Sequence, residues 1–326
     1  MKLRLLLATA LALGVAAVHA AERKLVMIAG PVSHPPLMHE FRAGSILLQK
    51  RLAVVPGLKT VLITNGWPVK MVDGKKVDDN SVFEGADAVF IYSDGSGGHP
   101  GVQGNRLEVL GGLMKKGVSL GLAHYAVEVV TNKGGAEWKD WVGGHYEHQF
   151  SCNPIWEADY TVFPSHPIAR GVQPFKTKDE WYFNMRFRDG KQGVTDILVA
   201  KPSDATRDGP YVHPQGPYPH IQADKGRPET MMWSVERPDG GRGFGFTGGH
   251  FHLNWQNDQQ RRLMLNALVW ISKLDVPKGG INSAPVSDDE AYSNLDAKKG
   301  SPPRPVATKP ATPQVESPTS PVNKAK

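Results

Sequence analysis

The chain carries a single cysteine, Cys152, in 326 residues, which excludes an intramolecular disulfide. Stability must therefore come from a buried core, even in a compartment where disulfides could form. A second absence is of long apolar runs. Beyond Leu5–Val18 no stretch approaches the ~20 apolar residues of a membrane-spanning helix. Strong charge is also missing. Of the formal net +6, Lys2 and Arg4 account for two and the segment from Pro277 onward for two more, so residues 21–276 stand near +2. That balance is no polyanion-binding signature. Arg242–Phe246 opens like an RNA-recognition octapeptide, but Thr247 and Gly249 stand where an aliphatic and an aromatic residue are needed. No nucleic-acid partner is expected. The glycine-rich stretch Asp94–His99 lacks both Gly-Lys-Ser/Thr and the Rossmann spacing, which disfavours a phosphate cradle.

The two ends differ from the middle. Residues 1–20 combine Lys2 and Arg4, the apolar run and a small-residue Val18-His19-Ala20 site, the pattern of a secretory signal peptide cut after Ala20. With no cysteine at that point, a lipid anchor is not expected. The mature chain reads as exported, periplasmic and free of the membrane. Residues 277–326 hold nine of the 26 prolines with Ser, Thr, Ala and Lys, and read as a disordered tail. Residues 21–276 then form one large domain.

Within it, apolar runs at 24–30, 58–64, 86–93 and 118–123 alternate with helical patterns at 38–53 and 107–116. This β-α-β order argues a mostly parallel, doubly wound α/β sheet with helices on both faces. Further strands are read at 155–163, 179–187 and 196–200. Residues 230–235 and 243–247 read as a hairpin across Arg237–Gly241, and 258–274 as a closing helix. The stretch Val118–Glu128 is the most informative. It starts as a buried strand and ends on His124, Tyr125 and Glu128, where ligands of open α/β sheets are bound. A strand-to-helix elbow carrying a nucleophile needs Ser or Cys at its tip; here the tip is Ala123-His124-Tyr125. Cys152 reads as a packing residue.

Histidine is the main chemical signal. Eleven remain after the leader, and five sites fall at strand ends or helix starts: His34 with His39 and Glu40, His99, His124, His145 with His148, and His250 with His252. Imidazole with carboxylate suits zinc or a similar divalent ion. The same groups without metal could serve as acid–base residues around a polyol; the residues alone leave both readings open. His39, His250, His145 and His148 are the candidate ligands, and His124, His34, Glu40 and Glu128 the candidate catalytic residues. Trp67, Trp181, Tyr182, Arg186, His252 and Trp255 are candidates for contacting substrate, the tryptophans by stacking on a sugar ring. Glu180 is a further candidate. His34, His39, Glu40, His124 and His250 are expected to gather on one rim, with His166, His213 and His220 outside it.

Gly30–His34 with His39-Glu40-Phe41, Gly121–Ala126, Asp179–Tyr182 and Gly248–His250, in that order, resemble the ThuA-like (trehalose-utilisation) family over nearly all of residues 24–276. The resemblance implies a flavodoxin-like, class I glutamine amidotransferase-like fold that has lost the amidotransferase cysteine, with His124 at or next to its position. It also implies sugar catabolism, in particular of 3-keto disaccharides made by a partner oxidoreductase. An export signal departs from a cytoplasmic sugar pathway. The expected reaction is cleavage of a keto-glycoside by a hydrolase or lyase step, with His124 as base. The alternative is a non-catalytic carbohydrate-binding or cell-envelope protein on the same scaffold.

Overall fold

The computed structural model describes residues 22–300; the leader reading at 1–20 and residues 301–326 lie outside them. The chain runs β1 (Arg23–Ala29), α1 (Phe41–Leu52), β2 (Leu58–Ile63), the hairpin β3 (Val69–Val72) and β4 (Lys75–Asp78), then β5 (Ala88–Tyr92), α2 (Arg106–Met114), β6 (Ser119–Ala123) and α3 (Gly135–Val142). A less regular stretch follows, with β7 (Gly144–His145), β8 (Trp156–Tyr160), β9 (Phe175–Asp179) and β10 (Arg186–Phe187). The chain returns through β11 (Val194–Ala200), α4 (Asp204–Asp208), α5 (Pro219–Ala223), β12 (Glu229–Glu236), β13 (Arg242–Phe246), α6 (Asp258–Ile271) and α7 (Asp288–Ala291).

Seven strands form the central sheet in the order β11-β12-β13-β6-β5-β1-β2. Every pairing from β2 to β13 is parallel, while β12 and β11 add antiparallel. Taken by themselves, the five parallel strands have the flavodoxin-like order 2-1-3-4-5. Their apolar runs are continuous because both faces are covered. Leu25, Met27 and Ala29 of β1 point into the core shared with α1 and α6, whereas Val26 and Ile28 point into the core shared with α2 and α3. The alternation of one strand thus feeds two hydrophobic layers. Helix α6 starts sharply because the Asn257 side chain accepts from Gln259 N and Gln260 N at 3.0 and 3.1 Å. Among the described residues no helix is long and apolar enough to cross a membrane.

Three sequence expectations need correction. Helix α1 begins at Phe41, not near Met38, because His39 sits at φ 49°, outside helical space. Residues 179–187 are not one strand. The strand is β9, paired antiparallel to β8, and it ends at Asp179, whose side chain turns inward to bind backbone N–H groups of another loop. Lastly, the tail boundary lies too early. Residues 277–300 pack on the domain: Ile281, Val286 and Ala291 are buried in the α1/α6 core, and Glu290 ion-pairs with Arg51 at 2.6 Å. Proline content and polarity concealed this, because the segment buries only one apolar residue every few positions and follows no helix or strand period.

Replacing Ile281 by alanine should therefore cost about 2–4 kcal/mol in urea unfolding, the range for a buried Ile→Ala change. A free tail would show less than about 0.5 kcal/mol.

Candidate active site and metal-binding cluster

Three loops leave the carboxyl ends of β1, β6 and β13 and carry His39, His124 and His250 to one point. His39 Nε2 lies 2.9 Å from His250 Nδ1 and 2.9 Å from His124 Nε2. Glu180, just past β9, brings its Oε2 to 2.8 Å from His250 Nδ1 and 3.5 Å from His124 Nε2. All four donor atoms lie within 4.8 Å of one another, and all four residues are buried.

The partners on the far side of each ring assign the protons. His39 Nδ1 sits 2.8 Å from Asp94 Oδ1, and His124 Nδ1 sits 3.0 Å from the Thr247 carbonyl. Both partners only accept, so each Nδ1 carries hydrogen and each Nε2 presents a lone pair. Two lone pairs facing at 2.9 Å repel unless a cation lies between them. A proton is a poor choice of cation here. Burial drives the His39 and His124 imidazoles far below their ordinary range, and the neighbouring histidines push the same way. Neutral imidazoles backed by a carboxylate or carbonyl are the usual arrangement around a metal. With Zn–N distances of ~2.0–2.1 Å, tetrahedral donors stand about 3.3 Å apart; the observed 2.8–3.5 Å contacts bracket that value. The cluster could hold one divalent ion.

The backbone is forced to deliver these rings. His34, His39 and His124 have φ of 57°, 49° and 54°, left-handed values costly for non-glycine residues. His124 directly follows β6 and opens a short 3-10 turn, Ala123 being its last extended residue, so it occupies the strained elbow at the end of the central strand. Gly248 passes so close to the Trp181 ring that a Cβ would lie 2.4 Å from it, and Gly249 has φ 108°. No other residue could bring the chain past Trp181 and turn His250 inward. Asp179 then fixes the turn. Its carboxylate accepts from the backbone N–H of Glu180, Gly249, His250 and Phe251 and from Asn254 Nδ2. Burial pushes this carboxyl upward, opposed by those donors, which favour the anion.

A cavity of about 330 Å³ opens beside the cluster, walled by His34, Ser96, Tyr125, Glu128, His148, Asn153, Tyr182 and His213 as well as three of the four donors. A larger groove of about 650 Å³ beside Val162, Val199 and Lys201 contains no histidine, so its size does not make it the site. Glu128 is nearly buried, and desolvation, with Glu180 adding to it, raises its carboxyl to about 8 against an opposing Ser96 hydroxyl bond. In the metal-free chain this shift favours the protonated acid at neutral pH.

Of the expected rim, His34, His39, His124 and His250 come together, His34 stacking on His39 with ring centres 3.5 Å apart. Glu40 does not. Its carboxylate accepts from Leu37 N and Asp296 N and pairs with Lys298, a structural anchor behind the site. His145 donates to the Tyr146 carbonyl and packs near Gly135 of α3, away from the cluster. His148 reaches the cavity wall but not the donor set. His252 points the other way, to the Ala291 carbonyl at 2.9 Å, because the chain has left the strand before His250. Arg186 is taken by Glu147 and stacks over Phe150. Trp67, Trp181 and Trp255 are all core residues: Trp67 packs on Phe83, Trp181 donates to Thr177 O, and Trp255 lies against Tyr92. Tyr182 does face the cavity. His166 and His220 lie outside it, but His213, expected outside, lines it. Asp94, Asp179 and Asn153 were given no place in the site, and Tyr125 was noted at the strand end without a role. Asp94 opens the glycine-rich stretch and Asp179 precedes Glu180, so both stood next to singled-out residues; nothing in the sequence pattern marks Asn153.

A family model described as trehalose utilisation, ThuA, matches residues 48–271. The chain belongs to the ThuA family. The matched span includes His124, Glu180 and His250 but begins after His39. A ThuA-like protein from Bacteroides uniformis has a similar structure, with a TM-score of 0.54 at 13% identity, covering 78% of this chain and 94% of that one. Another from Parabacteroides merdae gives 0.52 at 16%, covering 82% and 94%. At such identities the likeness concerns the fold. No curated protein matches the chain.

The Glu128 carboxyl gives a test of this environment. Its proton is held to about pH 8 in the folded chain but leaves near pH 4.5 when unfolded, so its contribution to stability falls as pH rises between those values. Glu128→Gln should be the more stable protein above pH 8, by an amount on the order of a few kcal/mol, and equal to the parent near pH 4. Urea unfolding against pH, with chelator present, measures this.

Proposed function

We propose that this ThuA-family chain is an exported carbohydrate-processing enzyme that holds one divalent ion, such as zinc, on His39, His124, His250 and Glu180 and cleaves a keto-glycoside. The observation that carries the reading is the convergence of four buried donor atoms on one point. Export is supported by the leader pattern at residues 1–20, and the carbohydrate class by family membership.

The cavity wall suits a neutral polyol. Among the described residues that line it there is no Lys or Arg, and Ser96, Tyr125, Tyr182 and Asn153 place uncharged polar groups there, of which Tyr182 already contacts His124 Nε2 at 3.3 Å and Asn153 Nδ2 donates to Glu180 at 2.8 Å. When bound, the ion would supply Lewis acidity toward a ketone oxygen. In this reading His124 serves as a ligand and leaves the acid and base duties to others, since its Nε2 belongs to the donor set and the ring does not line the cavity. Those roles pass to residues facing the cavity. His34 would accept the proton from the carbon next to the ketone, whose bonding electrons become the enolate. The enolate then expels the glycosidic oxygen, which takes the Glu128 proton. Asp94, next to both His34 and His39, would orient the base.

Protein purified without an affinity tag should contain about one metal ion per chain and consume a 3-keto-disaccharide but not its unoxidised parent. Chelation should stop turnover, and Glu128→Gln should lower kcat by about 10²–10⁴-fold. Full activity in metal-free protein, or equal turnover of both sugars, would sink the proposal. An ion-bound protein that consumes neither sugar favours the non-catalytic binding alternative.

A further inference from the structure

The segment after α6 crosses the outside of the site and holds both loops that carry His39 and His250. Gln256 Nε2 donates to Asp288 at 2.8 Å, His252 Nε2 bonds the Ala291 carbonyl at 2.9 Å, and Arg42 reaches Asp296 and the Leu295 carbonyl at 3.0 Å each. The segment carries Lys298, whose side chain is buried. It donates to the Met38 carbonyl at 2.6 Å, lies 3.5 Å from the His39 carbonyl and 3.2 Å from Glu40 Oε1. Glu40 in turn accepts from Leu37 N and Asp296 N, each at 3.0 Å. One buried cation and one buried anion therefore tie the residues on both sides of His39 to the C-terminal segment.

That corner needs tying. Leu37 and His39 both have left-handed backbone, with φ of 64° and 49°, which the chain would leave if free to do so. On the inner side, His39 N donates to the His250 carbonyl at 3.0 Å and His252 N to the Leu37 carbonyl at 2.9 Å. The outer side is held by Lys298 and Glu40.

We propose that Lys298, delivered by residues 286–298, is a positioning residue for the metal ligand His39, so that the C-terminal segment sets the metal affinity of the site. This rests on the metal reading above. It assigns the segment a role in the site rather than only in the core, and it gives Glu40 a purpose other than catalysis.

The test measures zinc affinity of the full chain by competition with a chromophoric chelator, together with the visible absorption of the cobalt(II) form. Lys298→Met should weaken zinc binding by about 10- to 100-fold, the range for loss of an outer partner of a ligand, and change the cobalt spectrum as His39 leaves. In a His39→Ala background the same substitution should cause no further loss, because residues that act through one contact are not additive. Equal loss in both backgrounds would mean a general structural role and would overturn the proposal, as would unchanged affinity in folded Lys298→Met. If that variant does not fold, Arg42→Ala, which releases the same segment from a half-exposed position, takes its place and should weaken binding in the same direction; unchanged affinity there also overturns it. A parent chain that binds no zinc overturns the metal reading itself, and the proposal with it.

Discussion

The site depends on one buried carboxylate. Asp179 gathers four backbone N–H groups, those of Glu180, Gly249, His250 and Phe251, and the Asn254 amide. In doing so it fixes two donors at once, because Glu180 is its chain neighbour and His250 lies in the loop it binds. A neutral isostere could not accept all of these bonds, and a buried N–H left without an acceptor costs about 1–3 kcal/mol. The β9 end and the β13 end, distant in sequence, are thereby locked in one register. His39 and His124 then approach from β1 and β6 on the opposite side.

Building this cluster runs against local preference at several points. Three histidines sit in left-handed backbone, burial pushes the Glu128 carboxyl upward, and two imidazole lone pairs face each other. Each feature is unfavourable alone. They persist because the parallel sheet beneath them is rigid, with both faces packed, and because the C-terminal segment braces the loops from outside. Strain concentrated at the carboxyl edge of a well-packed sheet is the expected signature of a site built for ligands rather than for stability.

Much of the scaffold was legible in the chain. The apolar runs at β1, β2, β5 and β6 and the amphipathic patterns of α1, α2 and α6 report burial directly, since their periods are properties of consecutive residues. His124 was legible for the same reason, as a polar residue ending a buried strand. The errors have a shared cause. His252 was grouped with His250 and offered as a substrate contact, but the strand ends at Phe246 and the loop turns His252 to the Ala291 carbonyl. The tryptophans were offered to a sugar because aromatic residues suit either a wall or a core, and composition does not say which.

The sequence by itself determined the α/β class, the strand ends and the excess of histidine at them, because these follow from local periodicity and residue chemistry. Only the tertiary structure decided which histidines meet. It chose His39 and His250 over His145 and His148, brought in Asp94 and Asp179, and turned Glu40 away from the cavity toward Lys298. The physical reason is that a donor cluster is defined by distances of about 3 Å between residues up to 211 positions apart. Those distances are set by the order of strands in the sheet and by the backbone conformation of a few loop residues, neither of which leaves a periodic trace along the chain.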